Sequence, residues 1–165
     1  MSSKKLARKA EKLLDLYRRK NLKIATAESC TGGMIACLLT DTAGSSDVFE
    51  RGFVTYSNAS KKDMLGVDGA LIAKHGAVSP QVAEAMARGA IKHSQADLAI
   101  AVTGIAGPGG GTKKKPVGLV YIATASKHYA DVIVLKNNFK GKRDAVRTKS
   151  ADKALTTLKK LLAFF

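Results

Sequence analysis

The stretch Leu98–Thr103, which reads LAIAVT, constrains the fold more than any other part of the chain. It is a nearly unbroken apolar run of strand length, without the polar alternation of a strand that has one face in water. Such a run is typical of a central strand that is covered on both faces. Helices must then pack on the two sides of the sheet, and this indicates an α/β fold with two outer helical layers.

Shorter strands and helical periodicities alternate around this run. The sequence predicts further strands over 22–27, 48–56, 117–124 and 129–135, the last two forming a hairpin, and helices over 4–20, 31–39, 57–65, 80–94 and 151–165. In strand 48–56, alternation places Phe49, Arg51, Phe53 and Thr55 on one side. Ser79 suits a helix N-cap, with Pro80 at the first helical position. We expect a three-layer α/β/α sandwich with a mixed sheet of about five strands, in one domain spanning 1–165.

Several protein classes are excluded by composition. The 165 residues contain no apolar run near the roughly 18 residues that a membrane-spanning helix needs. The N-terminal residues, MSSKKLARKAEK, lack the apolar core of a signal peptide. Two cysteines argue against a disulfide scaffold. We therefore expect a cytoplasmic protein that has no membrane partner.

Charge is distributed unevenly along the chain. The net charge is +15, with +7 over residues 1–23, −2 over 24–110 and +10 over 111–165. Basic surfaces attract nucleic acid and other phosphorylated partners. Runs of charge are also common on helix faces that contact only water, and we favour that interpretation here.

Three polar segments with small residues follow predicted strands, where ligands of open α/β sheets bind. The first is ESCTGG at 28–33, and its free backbone N–H groups would suit a phosphate or carboxylate. The second is the glycine-rich loop at 103–111, which could fold against a ligand because glycine permits close approach. Each is equally compatible with an ordinary turn.

The third segment is YSNASKK at 56–62. Tyrosine, serine and lysine together can form an acyl-transfer site in which a neutral lysine deprotonates a serine. On local sequence alone, both Lys61 and Lys62 are more typical of solvent-facing side chains. The residues by themselves leave Ser29, Ser45 and Ser46 open as the nucleophile. No zinc-binding spacing of histidine and cysteine occurs, so we expect no metal site.

Four longer strings carry a family resemblance. They are TAESCTGG (26–33), AGSSDVFERGFVTYSN (43–58), HGAVS (75–79) and TGIAGPGGGTKKKPVGLVY (103–121). In this order they resemble the C-terminal domain of CinA, the competence- and damage-inducible protein. The resemblance extends from about Leu6 to the C-terminus. Stand-alone members of this family are nicotinamide-nucleotide amidohydrolases.

The resemblance implies hydrolysis of nicotinamide mononucleotide to nicotinate mononucleotide and ammonia, by a serine/lysine mechanism without metal or cofactor. Carried over by position, Ser46 is the nucleophile, Lys61 the base and Tyr56 the residue that relays or orients the proton. The residues implied to bind substrate are Ser29, Thr31, Gly32, Thr103, Gly104 and Arg143. Arg143 is expected to meet the substrate phosphate, since a guanidinium offers paired donors.

An alternative function is a nucleic-acid-binding accessory protein without hydrolase activity. The net charge favours it, but aromatic residues make up only 5% of the chain and tryptophan is absent. Proteins that bind single strands rely on aromatic stacking. We therefore favour the amidohydrolase, acting as a homodimer, with nucleic acid as a less favoured partner.

Overall fold

The computed structural model describes residues 3–165, and its elements form a mixed five-stranded sheet between two layers of helices. The strands are β1 (Ile24–Glu28), β2 (Phe49–Val54), β3 (Leu98–Gly104), β4 (Leu119–Ser126) and β5 (Ile133–Asn138). The helices are α1 (Ser3–Arg19), α2 (Met34–Thr40), α3 (Asn58–Leu65), α4 (Gly69–His75), α5 (Pro80–Lys92) and α6 (Arg143–Leu161). Short 3₁₀ turns occupy Ser45–Asp47 and Leu162–Phe164.

The strand order is β2-β1-β3-β4-β5. Strands β2, β1 and β3 are parallel, whereas β4 runs antiparallel to β3 and to β5. The predicted hairpin and mixed sheet are confirmed. Because β1, β2 and β3 point the same way, the loops that follow them meet at one edge of the sheet. We call this edge the carboxyl edge.

Strand β3 is covered on both faces, as its apolar run predicts. Ile100 and Val102 belong to a core cluster with α1, α2 and α6, whereas Ala99 and Ala101 belong to a second cluster with α3, α4 and α5. All four side chains are fully buried. The three-layer α/β/α prediction is therefore confirmed.

Helix α1 confirms the predicted amphipathic pattern. Leu6, Ala10, Leu13, Leu14 and Tyr17 are all buried against the first cluster. Burying one leucine contributes about 1.5–3 kcal/mol. This stripe therefore fixes α1 on the domain, and the basic residues between its members stay on the outer face.

Strand β2 departs from the predicted alternation. Ile24 pairs with Phe49, but Ala25 pairs with Arg51, so Glu50 is an extra residue in the ladder. A bulge of this kind shifts the side-chain alternation by one. Phe49 consequently packs against the first cluster and Phe53 against the second, and the prediction that they share a face is wrong.

Of the two neighbouring helices α4 and α5, the sequence predicted only α5. Helix α4, capped by Asp68, was not predicted, because its seven residues are too few for a clear periodicity. Ser79 caps α5 as expected, its Oγ accepting from the Val82 N–H at 3.3 Å.

Within residues 3–165, no helix combines the length and hydrophobicity required to span a membrane.

Candidate active site

A cleft of about 210 Å³ opens at the carboxyl edge of the sheet. The segments after β1, β2 and β3 form it, together with the 75–79 loop and the start of α6. Its lining residues are Ser29, Cys30, Tyr56, Asn58, Lys61, Ala77, Val78, Thr103, Gly104, Ala106 and Arg143. The topology thus brings together residues that are more than 100 positions apart in the sequence.

Lys61 lies inside this cleft, not in solvent. It follows a capping box in which Ser57 and Ser60 satisfy each other's backbone N–H groups, and this fixes the first turn of α3. The Lys61 side chain is only 1% exposed. Its Nζ lies 3.1 Å from the Ser29 Oγ and donates to the Thr55 carbonyl at 2.9 Å.

Burial lowers the pKa of Lys61, because the charged ammonium loses its hydration. No carboxylate forms an ion pair with its Nζ among the described residues. A neutral amine can accept the proton of a hydroxyl, and a separation of 3.1 Å is within reach for that transfer. Ser29 and Lys61 therefore have the geometry of a nucleophile and its general base.

Ser29 is held in place by the residues around it. Its N–H donates to the Val102 carbonyl of β3 at 2.9 Å. The preceding Glu28 is fully buried, and its carboxylate accepts from the N–H groups of Ile35 at 3.0 Å and Ala36 at 2.8 Å. These bonds tie the end of β1 to the first turn of α2 and so fix the loop that carries Ser29.

The structural role of Glu28 was not predicted from the sequence. The available signal was a carboxylate at the end of the otherwise uncharged strand IATAE, directly before a helix start.

Cys30 is adjacent to Ser29 and also lines the cleft. Burial raises its pKa to about 11, because a thiolate would be poorly solvated there. The thiol is therefore protonated at neutral pH, and this disfavours it as the nucleophile.

The structure does not bring Ser46 to Lys61, although the resemblance paired them. Ser46 is exposed and lies in the turn before β2, whereas Lys61 follows β2. The six residues of β2 span about 20 Å at 3.3 Å each, so the two residues lie at opposite edges of the sheet. Arg18 of α1 anchors the Ser46 turn there through a hydrogen bond to Asp47 of 2.5 Å. The serine hydroxyl that lies within hydrogen-bond distance of the Lys61 amine is that of Ser29.

Tyr56 and Arg143 lie together at the mouth of the cleft. The Arg143 guanidinium donates to the Tyr56 hydroxyl at 2.8 Å and to the Gly107 carbonyl at 2.9 Å. Both side chains are exposed, and Arg143 is the first residue of α6. The positive end of a 19-residue helix and a guanidinium together create a local site for an anion.

Thr103 and Gly104 also line the cleft, and each makes a contact that holds the surrounding backbone in place. The Thr103 Oγ1 donates to the Ala77 carbonyl at 2.8 Å and so fixes the 75–79 loop. A Cβ on Gly104 would lie 2.8 Å from the Leu119 carbonyl oxygen, so only glycine permits this approach of β3 to β4.

Thr31 and Gly32 do not line the cleft. Thr31 is fully buried, and its carbonyl accepts from Arg147 at 2.8 Å. Gly32 has a φ of +59°, so it supports the turn into α2.

Among residues 3–165, no group of three or more histidine, cysteine, aspartate or glutamate side chains is arranged to hold a metal ion.

Comparison with known families matches residues 6–162 to the CinA C-terminal domain. The chain belongs to the CinA C-terminal domain family. This match covers nearly the whole chain and confirms the resemblance on which the expected fold and site rest.

Curated relatives of two lengths match the chain. A CinA-like protein of Geobacter sulfurreducens is 54% identical over 147 residues, covering 89% of this chain but 35% of the relative. The chain thus spans about a third of the CinA-like relatives it matches. The nicotinamide-nucleotide amidohydrolase PncC of Escherichia coli K12 is 46% identical over 158 residues, covering 96% of this chain and 95% of the relative.

The fold also matches solved structures closely. The competence/damage inducible protein CihA of Agrobacterium tumefaciens superposes with a TM-score of 0.93 at 44% identity, covering 98% of this chain and 96% of that one. Its sheet and helices are therefore arranged as in this chain.

Proposed function

We propose that this protein hydrolyses the carboxamide of nicotinamide mononucleotide to nicotinate mononucleotide and ammonia, with Ser29 as nucleophile and Lys61 as base. One observation carries the proposal: a buried lysine amine lies 3.1 Å from a serine hydroxyl in a cleft at the carboxyl edge. The amidohydrolase PncC, which matches over nearly its whole length, supports the substrate.

The reaction proceeds through an ester on Ser29. The Ser29 oxygen attacks the amide carbon while neutral Lys61 accepts the hydroxyl proton. When the carbon–nitrogen bond breaks, Lys61 returns that proton to the departing ammonia. Water then attacks the ester carbon and gives one proton to Lys61, which passes it to the Ser29 oxygen as the ester bond breaks. The carboxylic acid that is released then loses its remaining proton to the solvent.

The position of Arg143 supports a substrate that carries a phosphate. Its guanidinium is exposed at the mouth of the cleft, at the positive end of α6, while Ser29 and Lys61 lie buried. The phosphate would therefore be held at the rim, with the ring carboxamide inserted towards Ser29. Tyr56, which accepts from Arg143, keeps the guanidinium in place.

The experiment is an assay of ammonia release from nicotinamide mononucleotide, with chromatography of the product. We expect equal amounts of ammonia and nicotinate mononucleotide, unaffected by EDTA. Nicotinamide riboside, which lacks the phosphate, should react with a much higher KM. Release of nicotinamide instead of ammonia would show that another bond is cleaved and would contradict the proposal.

The homodimer and the cytoplasmic location stay predictions. Light scattering after size exclusion tests the first, and fractionation of cells producing the tagged chain tests the second.

A further inference from the structure

A second and larger concave surface lies between α1 and α6. This groove has a volume of about 580 Å³, and none of its lining residues lines the active-site cleft. We call it the α1/α6 groove. Its lining includes six cationic side chains, those of Lys4, Lys5, Arg8, Lys9, Lys12 and Lys159.

The groove is formed by tertiary packing of the two basic ends of the chain. Leu13 and Leu155 are buried where the helices meet, and the Tyr17 hydroxyl donates to the Leu158 carbonyl at 2.9 Å. These contacts bring residues about 140 positions apart into one surface. The basic segments at the two ends of the sequence thus add their charges in the same place.

The charges in the groove are strongly unbalanced. Six of its lining side chains are cationic, and only Asp152 is acidic. Asp152 is already engaged, because Lys9 Nζ lies 2.5 Å from its Oδ1 and also donates to its carbonyl. No ion pair involves the other five cations within residues 3–165. Five cations in a concave surface repel one another, and a polyanion would relieve that repulsion.

The spacing of these cations suits a linear polyanion. Lys4, Arg8 and Lys12 recur every four residues on one face of α1, so they lie about 6 Å apart along the helix axis. Phosphates of one duplex strand advance about 3.4 Å along the duplex axis while they also wind around it, so neighbouring phosphates are further apart than this rise, and cations with the spacing of Lys4, Arg8 and Lys12 can meet successive phosphates.

The surroundings favour nucleic acid over a membrane. Helices that bind membranes insert exposed apolar or aromatic side chains. Among the described residues, the large exposed apolar side chains are elsewhere, and none lines the groove. The one aromatic residue of α1, Tyr17, is fully buried, so stacking on unpaired bases is not available there either.

We propose that the α1/α6 groove binds the phosphodiester backbone of duplex nucleic acid, without reading its base sequence. Contacts made only to phosphates carry no sequence information. This function is separate from amide hydrolysis and does not require it.

The test measures binding of a fluorescent 20-base-pair DNA by anisotropy between 50 and 200 mM KCl. Five phosphate contacts predict a slope of log K against log salt of about −4.5, which is a loss of roughly 500-fold over that range. The triple variant Lys4→Gln, Arg8→Gln, Lys12→Gln should bind at least tenfold more weakly at 50 mM and reduce the slope to about −1.8. Glutamine preserves helix propensity, and circular dichroism checks the fold.

A matched control removes the same charge elsewhere. Lys74, Lys127 and Lys136 are exposed and lie outside the groove, so their triple glutamine variant has the same net charge as the groove variant. It should retain the wild-type slope, and both variants should hydrolyse amide at the wild-type rate. Equal weakening by both variants would show that net charge alone acts and would overturn the proposal. So would binding confined to vesicles of phosphatidylserine and phosphatidylcholine, with no duplex bound at 50 mM KCl.

Discussion

Replacing Lys61 with methionine removes the proposed base and leaves a side chain of similar length in the cleft. The wild-type amine lies 3.1 Å from the Ser29 oxygen, close enough to take its proton directly. General-base catalysis contributes about 10²–10⁴ in rate. We therefore expect kcat/KM to fall by that factor, equivalent to about 2.7–5.4 kcal/mol of transition-state stabilisation.

The same substitution also changes the free energy of unfolding, for a reason that is independent of catalysis. Methionine also removes the donor that Lys61 gives to the Thr55 carbonyl at 2.9 Å. A buried acceptor left without a partner costs about 1–3 kcal/mol. The loss of rate must therefore be measured on protein shown to be folded at the assay temperature.

The assay is ammonia release under saturating and limiting substrate, on four further variants. Ser29→Ala should lose as much activity as Lys61→Met, and the double variant should be little worse, because the two residues act in one step. Lys62→Met is the matched control for the lysine, since Lys62 is exposed on the same helix. Ser46→Ala is the control for the serine. Both control variants should have a kcat/KM within twofold of the wild-type value.

Three results would refute this reasoning. Wild-type turnover by folded Ser29→Ala would remove Ser29 as the nucleophile, and a 100-fold loss in Ser46→Ala would return that role to the exposed turn. Multiplicative losses in the double variant would mean that Ser29 and Lys61 act independently.

Three further predictions concern binding, pH and stability. Arg143→Ala should raise KM at least tenfold with a smaller change in kcat, because Arg143 lies at the rim; steady-state kinetics measure this, and an unchanged KM would contradict it. The rate should rise with pH through the pKa of Lys61, which burial places below its ordinary value of 10.5. Between these two pKa values the unfolded chain binds more protons at Lys61, so this residue adds a component to the free energy of unfolding that rises with pH, whereas the raised pKa values of buried Cys30 and Tyr17 act in the opposite direction. Urea titrations isolate the Lys61 component as the free energy of unfolding of wild type minus that of Lys61→Met, and this difference should rise with pH. Tyr17→Phe should lower stability by about 1–2 kcal/mol, because the buried Leu158 carbonyl loses its donor, and Tm by about 2–6 °C in calorimetry. An unchanged Tm would contradict it.

The sequence predicted most of the fold because burial patterns are local. The run Leu98–Thr103 required helices on both faces of its strand, and the stripe from Leu6 to Tyr17 required a packed α1. The bulge at Glu50 was not predictable in this way, because it depends on how β2 pairs with β1. Phe49 and Phe53 lie on opposite faces of the sheet as a consequence.

The sequence by itself determined which residue types were available to the site, namely serines, a tyrosine, lysines and an arginine near predicted strand ends. The sequence strings that resemble the family contain most of these residues. Only the tertiary structure decided which of them meet. Parallel pairing of β1 and β2 brings Ser29 and Lys61 to one edge and leaves Ser46 at the other. Whether a lysine faces water or a cleft depends on what packs over it, and this is set by residues distant in sequence. The same holds for the basic ends of the chain, which share one groove only because α1 packs on α6.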